Sequence, residues 1–409
     1  MEIVHPRCCG IDVHKDSVMA CVRVQGPRRA TTEIRRFGTT TTELLALHAW
    51  LTETGCTHVA LESTSVYWKP VFNVLEGSVE VVLANPFHIK AVPGRKTDVK
   101  DCEWLADLLA HGLIRASFIP PAEIRVLREL TRHRKSLLRD RVTTVNRIHK
   151  LLESASLKLG SVVTDIMGVS GRAMLTALAA GERDPVVLAG LARGSLVRKA
   201  ARLADALTGR FTEHHAFLLG QLLRQVDHLA SLVTACDARI DTAIATQATA
   251  VQRLQTIPGV GRRSAEVLIS EIGVDMTRFA SAGHLASWAR LCPGTHESAG
   301  KRRSARTGTG NNWLRTTLLE SAWAASHQRQ SYLGAQYRRI AKRRGPKRAA
   351  IAVAHSLLVI AFHLLRDGRE YQDLGHDYFD RVNVTRQRRY HLRRLADLGC
   401  DVSALAVSA

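Results

Sequence analysis

The chain has 409 residues, with 58 Lys and Arg against 37 Asp and Glu, a formal net charge of +21 and a sequence pI near 10.3. That balance calls for a polyanionic partner, nucleic acid first, because each neutralised phosphate releases a counterion. An apolar content of 45% supplies real cores, the length allows two or three domains, and eight scattered cysteines with no CxxC pair exclude a zinc site built on such pairs and fit a reducing cytosol better than a disulfide framework.

No basic stretch leads into an apolar one at the N-terminus, as a signal peptide would need. The first hundred residues change period repeatedly. Residues 7–14 and 17–24 read as strands joined by a tight turn, 33–38 as a third strand and 42–54 as a helix. Residues 57–62 are then a strand, 66–75 a helix, 80–85 a strand and 98–112 a helix. The order β-β-β-α-β-α-β-α predicts an α/β domain over residues 1–120 with the ribonuclease-H-like layout, a mixed sheet with helices packed on it.

From residue 122 the strands stop. Residues 122–157 form one long helical pattern with Leu138, Val142, Val145, Ile148 and Leu152 on a seam, and the same segment is rich in Arg and Lys. Residues 214–246 repeat the pattern with Leu219, Leu222, Val226, Leu229, Val233, Cys236 and Ile240. Two such helices predict an antiparallel hairpin or a dimer interface within a coiled-coil region over 121–250. The Ala- and Gly-rich stretch 160–209 between them predicts short helices.

A mostly helical C-terminal domain over 251–370 begins with LQTIPGVGRRSAEVLISEIG, residues 254–273, where Pro258, Gly259 and Gly261 make a tight turn that exposes backbone N–H groups before a helix. This resembles a helix-hairpin-helix, which grips a DNA phosphate without reading sequence. A glycine turn opening a helix is common, and it is the charge of this chain that favours Gly259 and Gly261 as nucleic-acid-binding positions. A loop rich in Gly, Ser, Lys and Arg follows over 293–310, then helices near 311–326, 332–344 and 347–366, and a basic tail over 371–409 with Arg386, Arg388, Arg389, Arg393 and Arg394. The longest apolar run, 349–365, falls short of the roughly 20 residues that span a bilayer. It also contains His355, Ser356 and His363, so a buried helix is expected and no membrane partner.

Against the basic background four carboxylates stand out. Asp12 lies mid-strand in CCGIDVH and Glu62 ends the strand THVALE; in a ribonuclease-H-like sheet those strands are neighbours and the two carboxylates meet. Asp98 and Asp101, in KTDVKD, are three apart and share one helical face able to close over that point. Four hard oxygen donors suit Mg²⁺, and two such ions about 4 Å apart would stabilise both the attacking and the leaving oxygen of an in-line phosphoryl transfer. Singly, Asp98 reads as a helix cap, Asp101 as a solvated first-turn residue and Glu62 as a strand-end surface acid; the set, in that order on those elements, reads as a metal site. Asp16, in the turn HKDS, is a turn residue, and His14 and Lys15 read as exposed strand-end residues.

The motifs GIDVHKDS, LESTSVYWKP, KTDVKDCEWLADLL, IPGVG, LCPGTHESAGKRRSARTGTGNNWLR and LGHDYFDR, in that order, resemble the DEDD transposases of bacterial insertion sequences, the insertion-sequence one-ten family. The resemblance runs nearly end to end. It implies a RuvC-like N-terminal domain, a coiled-coil linker and a C-terminal transposase domain, with the DEDD set on Asp12, Glu62, Asp98 and Asp101. It also implies cutting and joining of double-stranded DNA through a serine nucleophile in a Ser-Gly motif, with Mg²⁺ as cofactor and Mn²⁺ as its substitute. The match is Ser298, in Glu297-Ser298-Ala299-Gly300-Lys301, where Ala299 departs from the motif; Ser304 is a second candidate. Lys301, Arg302 and Arg303 would steady the phosphate charge.

Because Ser298 is distant in sequence from the carboxylates, the site is expected to assemble across domains or protomers. The resemblance favours protomers, in a homodimer or homotetramer holding two DNA segments, in a nucleoid-associated cytoplasmic enzyme. It further implies a structured bridge RNA encoded beside the gene. Two other classes fit the same residues: a Holliday-junction nuclease using water as nucleophile, and a non-catalytic DNA-binding protein.

Overall fold

Parity along the strands shapes the first part of the molecule. Strand β1 (Arg7–Val13) turns back into β2 (Val18–Gln25) through a bond from His14 N to Ser17 O of 2.9 Å, and β3 (Ala30–Phe37) follows. After helix α1 (Thr41–Glu53) come β4 (His58–Glu62), α2 (Trp68–Leu75), β5 (Glu80–Ala84) and α3 (Asp98–Ala110). The computed structural model describes residues 2–63, 66–84, 98–293, 297–298, 301–302, 307–308, 310–382 and 384–401, with the backbone alone at 98–100, 297–298, 301–302 and 386–387. The chain divides into two compact units, Met1–Ile119 and Pro120–Ala409.

In the first unit the sheet order is β3-β2-β1-β4-β5. β1, β2 and β3 pair antiparallel, while β4 pairs parallel with β1, from Cys8↔His58 to Ile11↔Leu61, and β5 parallel with β4. Odd positions of β1 (Cys9, Ile11, Val13), with Val18, Ala20, Val22, Val59 and Leu61, bury one face under Leu44, Leu47, Trp50 and Leu51 of α1 and Val71, Phe72 and Leu75 of α2. Even positions are small: Cys8, Gly10 and Ala60, with Cys21 and Ala84, receive Cys102, Leu105, Ala106 and Leu109 of α3. A Cβ on Gly10 would stand 2.2 Å from Cys102 O and 2.4 Å from Ala106 N, so only glycine lets the α3 backbone lie on the strand. The expected elements are all present. β3 starts earlier than the sequence suggests because it is an edge strand whose outer residues are exposed, so it carries little apolar alternation.

The second unit is mostly helical. Helix α4 (Ala122–Ser154) is followed by the short helices α5 (Leu159–Val162), α6 (Val169–Ala179), α7 (Pro185–Gly190) and α8 (Ala200–Ala206) and then by α9 (Glu213–Ala243). α4 and α9 pack as an antiparallel pair, with Ile148 and Leu152 against Leu219, Leu223 and Val226 and the short helices covering the same core. The hairpin reading therefore holds, but the seam is displaced. Val142 is 58% exposed, and the buried line of α4 runs through Leu137, Thr144, Ile148 and Leu152. Thr144 escapes an apolar pattern yet sits inside because its hydroxyl donates to Asp140 O at 3.0 Å. Leu138 and Val142 instead line a cavity of about 500 Å³ with Ile240, Val267 and Thr317.

Beyond lie α10 (Ala248–Gln255), α11 (Arg262–Ile272), α12 (Ala282–Trp288), the two-residue strands β6 (Glu297–Ser298) and β7 (Lys301–Arg302), α13 (Asn312–Ser326), α14 (Tyr332–Arg344) and α15 (Pro346–Asp367). By length and composition α15 passes for a membrane span. It buries Val353, Ala354, Leu357, Leu358, Ala361 and Phe362 among α12, α13 and α14, which makes it the core helix of this region. The tail holds two more helices, α16 (Tyr378–Val382) and α17 (Val384–Asp397). Tyr378 and Phe379 clasp Tyr332, with ring centroids 5.1 and 5.2 Å away.

Candidate active site

Asp12 and Glu62 extend the parallel β1–β4 ladder by one position beyond Ile11↔Leu61, so they leave the sheet side by side. Parity puts both on the small-residue face: Asp12 follows Cys8 and Gly10, and Glu62 follows His58 and Ala60. Helix α3 covers that face, and its start lies toward Asp12. Gly10 abuts Cys102 and Ala106, and the Asp12 charge acts on the Cys102 thiol, which burial and nearby charges including Asp12 hold at about 11.

Asp101, half-buried, is therefore in the helical turn nearest the two strand-end carboxylates. Asp98 opens the same helix; its side chain lies outside the described residues. Among the described residues no group of three or more His, Cys, Asp or Glu side chains closes into a metal cage. The donor chemistry and placement nonetheless fit a hard divalent cation: strand-end carboxylates with an Asp-bearing helical turn over them, on a face otherwise lined by small residues.

The Asp12 side chain is 13% exposed, and His14 Nε2 lies 3.1 Å from its Oδ2. The contact joins residues i and i+2 at a strand end, where parity returns them to one face.

In the second unit Ser298 pairs with Lys301, and Glu297 with Arg302, in a minimal antiparallel hairpin. The side chains of Ser298, Lys301 and Arg302 lie outside the described residues, as do Arg303 and Ser304 entirely. The base of this loop is described and tightly held. Pro293 bridges Thr307, and the Arg315 guanidinium donates to Thr307 Oγ1 and Gly308 O, each at 3.0 Å. Asn311 closes the loop by capping α13, its Oδ1 accepting from Trp313 N and Leu314 N at 3.1 Å, while its Nδ2 donates to Glu271 Oε2 at 2.5 Å.

Glu271 is fully buried. Arg132 donates to it from two nitrogens, at 2.7 and 2.8 Å. Arg128 donates to Ser270 O and Glu271 O, at 2.9 and 2.8 Å, and so satisfies carbonyls at the C-terminal end of α11. Burial lowers the Arg128 pKa to about 10, against the opposing pull of Glu271. The loop that carries Ser298 is thus fastened, through one asparagine, to a buried ion pair between α4 and α11.

Gly259, at φ +86°, has a packing reason for being glycine: a Cβ there would lie 2.3 Å from Ser321 O and 2.7 Å from Ala325 N of α13. Gly261 is exposed and N-caps α11 with no side-chain acceptor. Arg262 and Arg263, in the first turn, are bound to Glu266 and Asp241.

A mixed sheet that gathers acids at its strand ends, carried in one chain with a strongly basic helical unit, belongs to an enzyme that works on nucleic acid. Comparison with known proteins narrows this. The DEDD transposase family model matches residues 9–157, and that of the transposase IS116/IS110/IS902 family matches residues 251–338. The chain belongs to the IS110 family of transposases and is a transposase or site-specific DNA recombinase. It is 24% identical over 369 residues to the transposase for insertion sequence element IS1111A of Coxiella burnetii, covering 89% of this chain and 90% of that one. It is 23% identical over 391 residues to the pilin gene-inverting protein of Moraxella bovis, covering 90% and 98%. An insertion element IS110 protein of 43.6 kDa from Streptomyces coelicolor is 29% identical over 302 residues, covering 68% and 73%.

Proposed function

We propose that this recombinase cuts and rejoins double-stranded DNA through a covalent phosphoserine, with Asp12, Glu62, Asp98 and Asp101 as metal ligands on a ribonuclease-H-like, RuvC-like sheet and Ser298 as nucleophile. The observation that carries the reading is the emergence of Asp12 and Glu62 side by side at the ends of adjacent parallel strands, under the helix that bears Asp101. Divalent ions held there, Mg²⁺ or Mn²⁺, would polarise the scissile phosphate.

Ser298 Oγ attacks phosphorus and loses its proton; the P–O bond to the leaving strand breaks, and that oxygen takes up a proton. Attack by a hydroxyl of the second DNA segment reverses the step and frees the serine. Lys301, Arg302 and Arg303 balance the charge that builds on the phosphate. The first-turn N–H groups of α11, open behind Gly261, support a helix-hairpin-helix grip on the DNA backbone. A homodimer or homotetramer brings two DNA segments together, and a net charge of +21 supports a structured bridge RNA as a second polyanion.

Incubating the full chain with labelled DNA and Mg²⁺, then denaturing it in detergent, tests the reading. A protein–DNA adduct should form with the wild type and with Ser304→Ala, and be lost with Ser298→Ala and Asp12→Asn, both of which still bind DNA. Free ends without an adduct would favour water as nucleophile, and an adduct that survives Ser298→Ala would remove that residue from the role.

A further inference from the structure

None of the residues between Glu320 and Asp367 is acidic, and the basic residues of that stretch concentrate at one place. Lys342, Arg343 and Arg344 form the last turn of α14, and after Gly345 and Pro346, Lys347 and Arg348 lie in the first turn of α15. All five are exposed. None makes a side-chain hydrogen bond or an ion pair among the described residues. Several cations elsewhere in the same unit are matched, Arg132 by Glu271, Arg134 by Asp237, Lys135 by Glu320, Arg172 by Asp227, and Arg263 by Glu266 and Asp241, whereas these five follow one another within seven positions without a counter-charge among the described residues.

Helix dipoles explain only three of the five. Cations in the last turn of α14 meet the negative end of its dipole, but Lys347 and Arg348 sit at the positive end of α15, where a cation costs about 0.3–1 kcal/mol. Five unmatched charges, two of them placed against a dipole, mark a surface whose counter-charge comes from another molecule.

An aromatic shelf adjoins them. Trp323 of α13 is 54% exposed, and the rings of Tyr337 of α14 and His327 stand nearly perpendicular to it with centroids 6.0 and 5.5 Å away. Tyr337 and Arg344 are seven residues apart, two turns of one helix, and so lie on one face about 10 Å from each other. Cations beside a half-exposed indole suit unpaired nucleotides: phosphates take the charges while a base stacks on the ring, which a duplex with its bases already stacked does not permit.

We propose that Trp323, Tyr337 and the Lys342–Arg348 cluster form a binding surface for single-stranded DNA, of the kind exposed when strands are cut and exchanged. This surface lies outside the proposed catalytic residues, and it stands whether or not Ser298 is the nucleophile. DNA rather than RNA is assigned because the enzyme class acts on DNA.

Fluorescence anisotropy of the full chain with labelled oligonucleotides of equal length, as single-stranded DNA, duplex DNA and single-stranded RNA, tests the assignment. Replacing Lys342, Arg343 and Arg344 together by Gln should weaken single-stranded DNA binding at least tenfold and reduce its salt slope by about two, near 0.7 per lost phosphate contact. Trp323→Ala should weaken single-stranded DNA about tenfold, as expected for a lost stacked base, and leave duplex binding within twofold, while Trp323→Phe retains most of the affinity. Thermal melts equal to wild type confirm folding, and Lys347→Gln with Arg348→Gln replaces the triple variant if its melt is lowered. Single-strand affinity within twofold of wild type in both the cation and the Trp323→Ala variants overturns the proposal. So does an equal loss on duplex DNA with Trp323→Ala, or RNA binding tighter than DNA with the same sensitivity to the variants.

Discussion

In the N-terminal unit the acids of interest stand at strand ends and the interior is apolar; in the C-terminal unit two glutamates, Glu266 and Glu271, lie inside among arginines. The sheet can leave its strand ends polar because backbone pairing and the close seat of α3 on Gly10 hold the unit together without them. Among the described residues the helical unit has no ladder to join its distant segments, and it uses long-range ion pairs and hydrogen bonds to fasten α4, α11 and the start of α13. The acids of interest thus stand at strand ends in the first unit, while in the second the buried acids serve the architecture. Its serine-bearing loop gains position from residues that do no chemistry themselves.

The largest way to break this contrast is at Gly10. Gly10→Ala forces a methyl onto the backbone of Cys102 and Ala106, and a backbone neighbour cannot swing aside as a side chain can. The expected loss is about 3 kcal/mol, the upper range for overpacking. Hydrogen exchange should locate it in β1 and α3, with DNA cleavage falling because Asp12 and Asp101 separate. An unchanged melting profile would mean that α3 is not seated on the strand.

Glu271→Ala is the matching test in the helical unit. Breaking a buried pair by removing one partner costs about 3–5 kcal/mol, but Arg132 is 36% exposed and can turn toward water, so about 2 kcal/mol is expected here. Its particular signature is faster amide exchange at Trp313 and Leu314, whose N–H groups depend on the Asn311 cap that Glu271 holds. Equal destabilisation without that local change would separate the ion pair from the loop.

The same contrast explains what was legible in the sequence. Strand parity and the long helices follow from local periodicity, which one sequence displays, and the neighbouring of Asp12 and Glu62 is legible only through the order of the elements and the sheet layout it matches. The Arg128–Arg132–Glu271–Asn311 network does not, since its members are up to 183 positions apart and each looks alone like a solvated charge or a helix cap. Thr144 and Val142 mislead for a related reason: burial on α4 is set by what covers it, so a satisfied hydroxyl lies inside and a valine lies outside. Gly259 is legible as a turn, but its contact with α13 is visible only in three dimensions.

The smallest effect concerns the thiols. Burial pushes Cys21 and Cys56 up to about 12 and Cys8 and Cys102 up to about 11, and raises Cys9 well above the usual thiol value; all five are buried in the N-terminal unit. In the unfolded chain they ionise near 9. Below that value both states hold their protons and the stabilisation is complete. Above it the unfolded chain loses protons that the folded chain keeps, so stability falls as pH climbs from about 9 toward 11 and 12. The melting temperature of the N-terminal unit should therefore decline over that window, and Cys21→Ala with Cys56→Ala should flatten the decline even if it lowers the melting temperature at neutral pH. A slope that the double variant leaves unchanged would mean that these thiols reach solvent, and that neither the seam under α3 at Cys21 nor the core under α1 and α2 at Cys56 is dry.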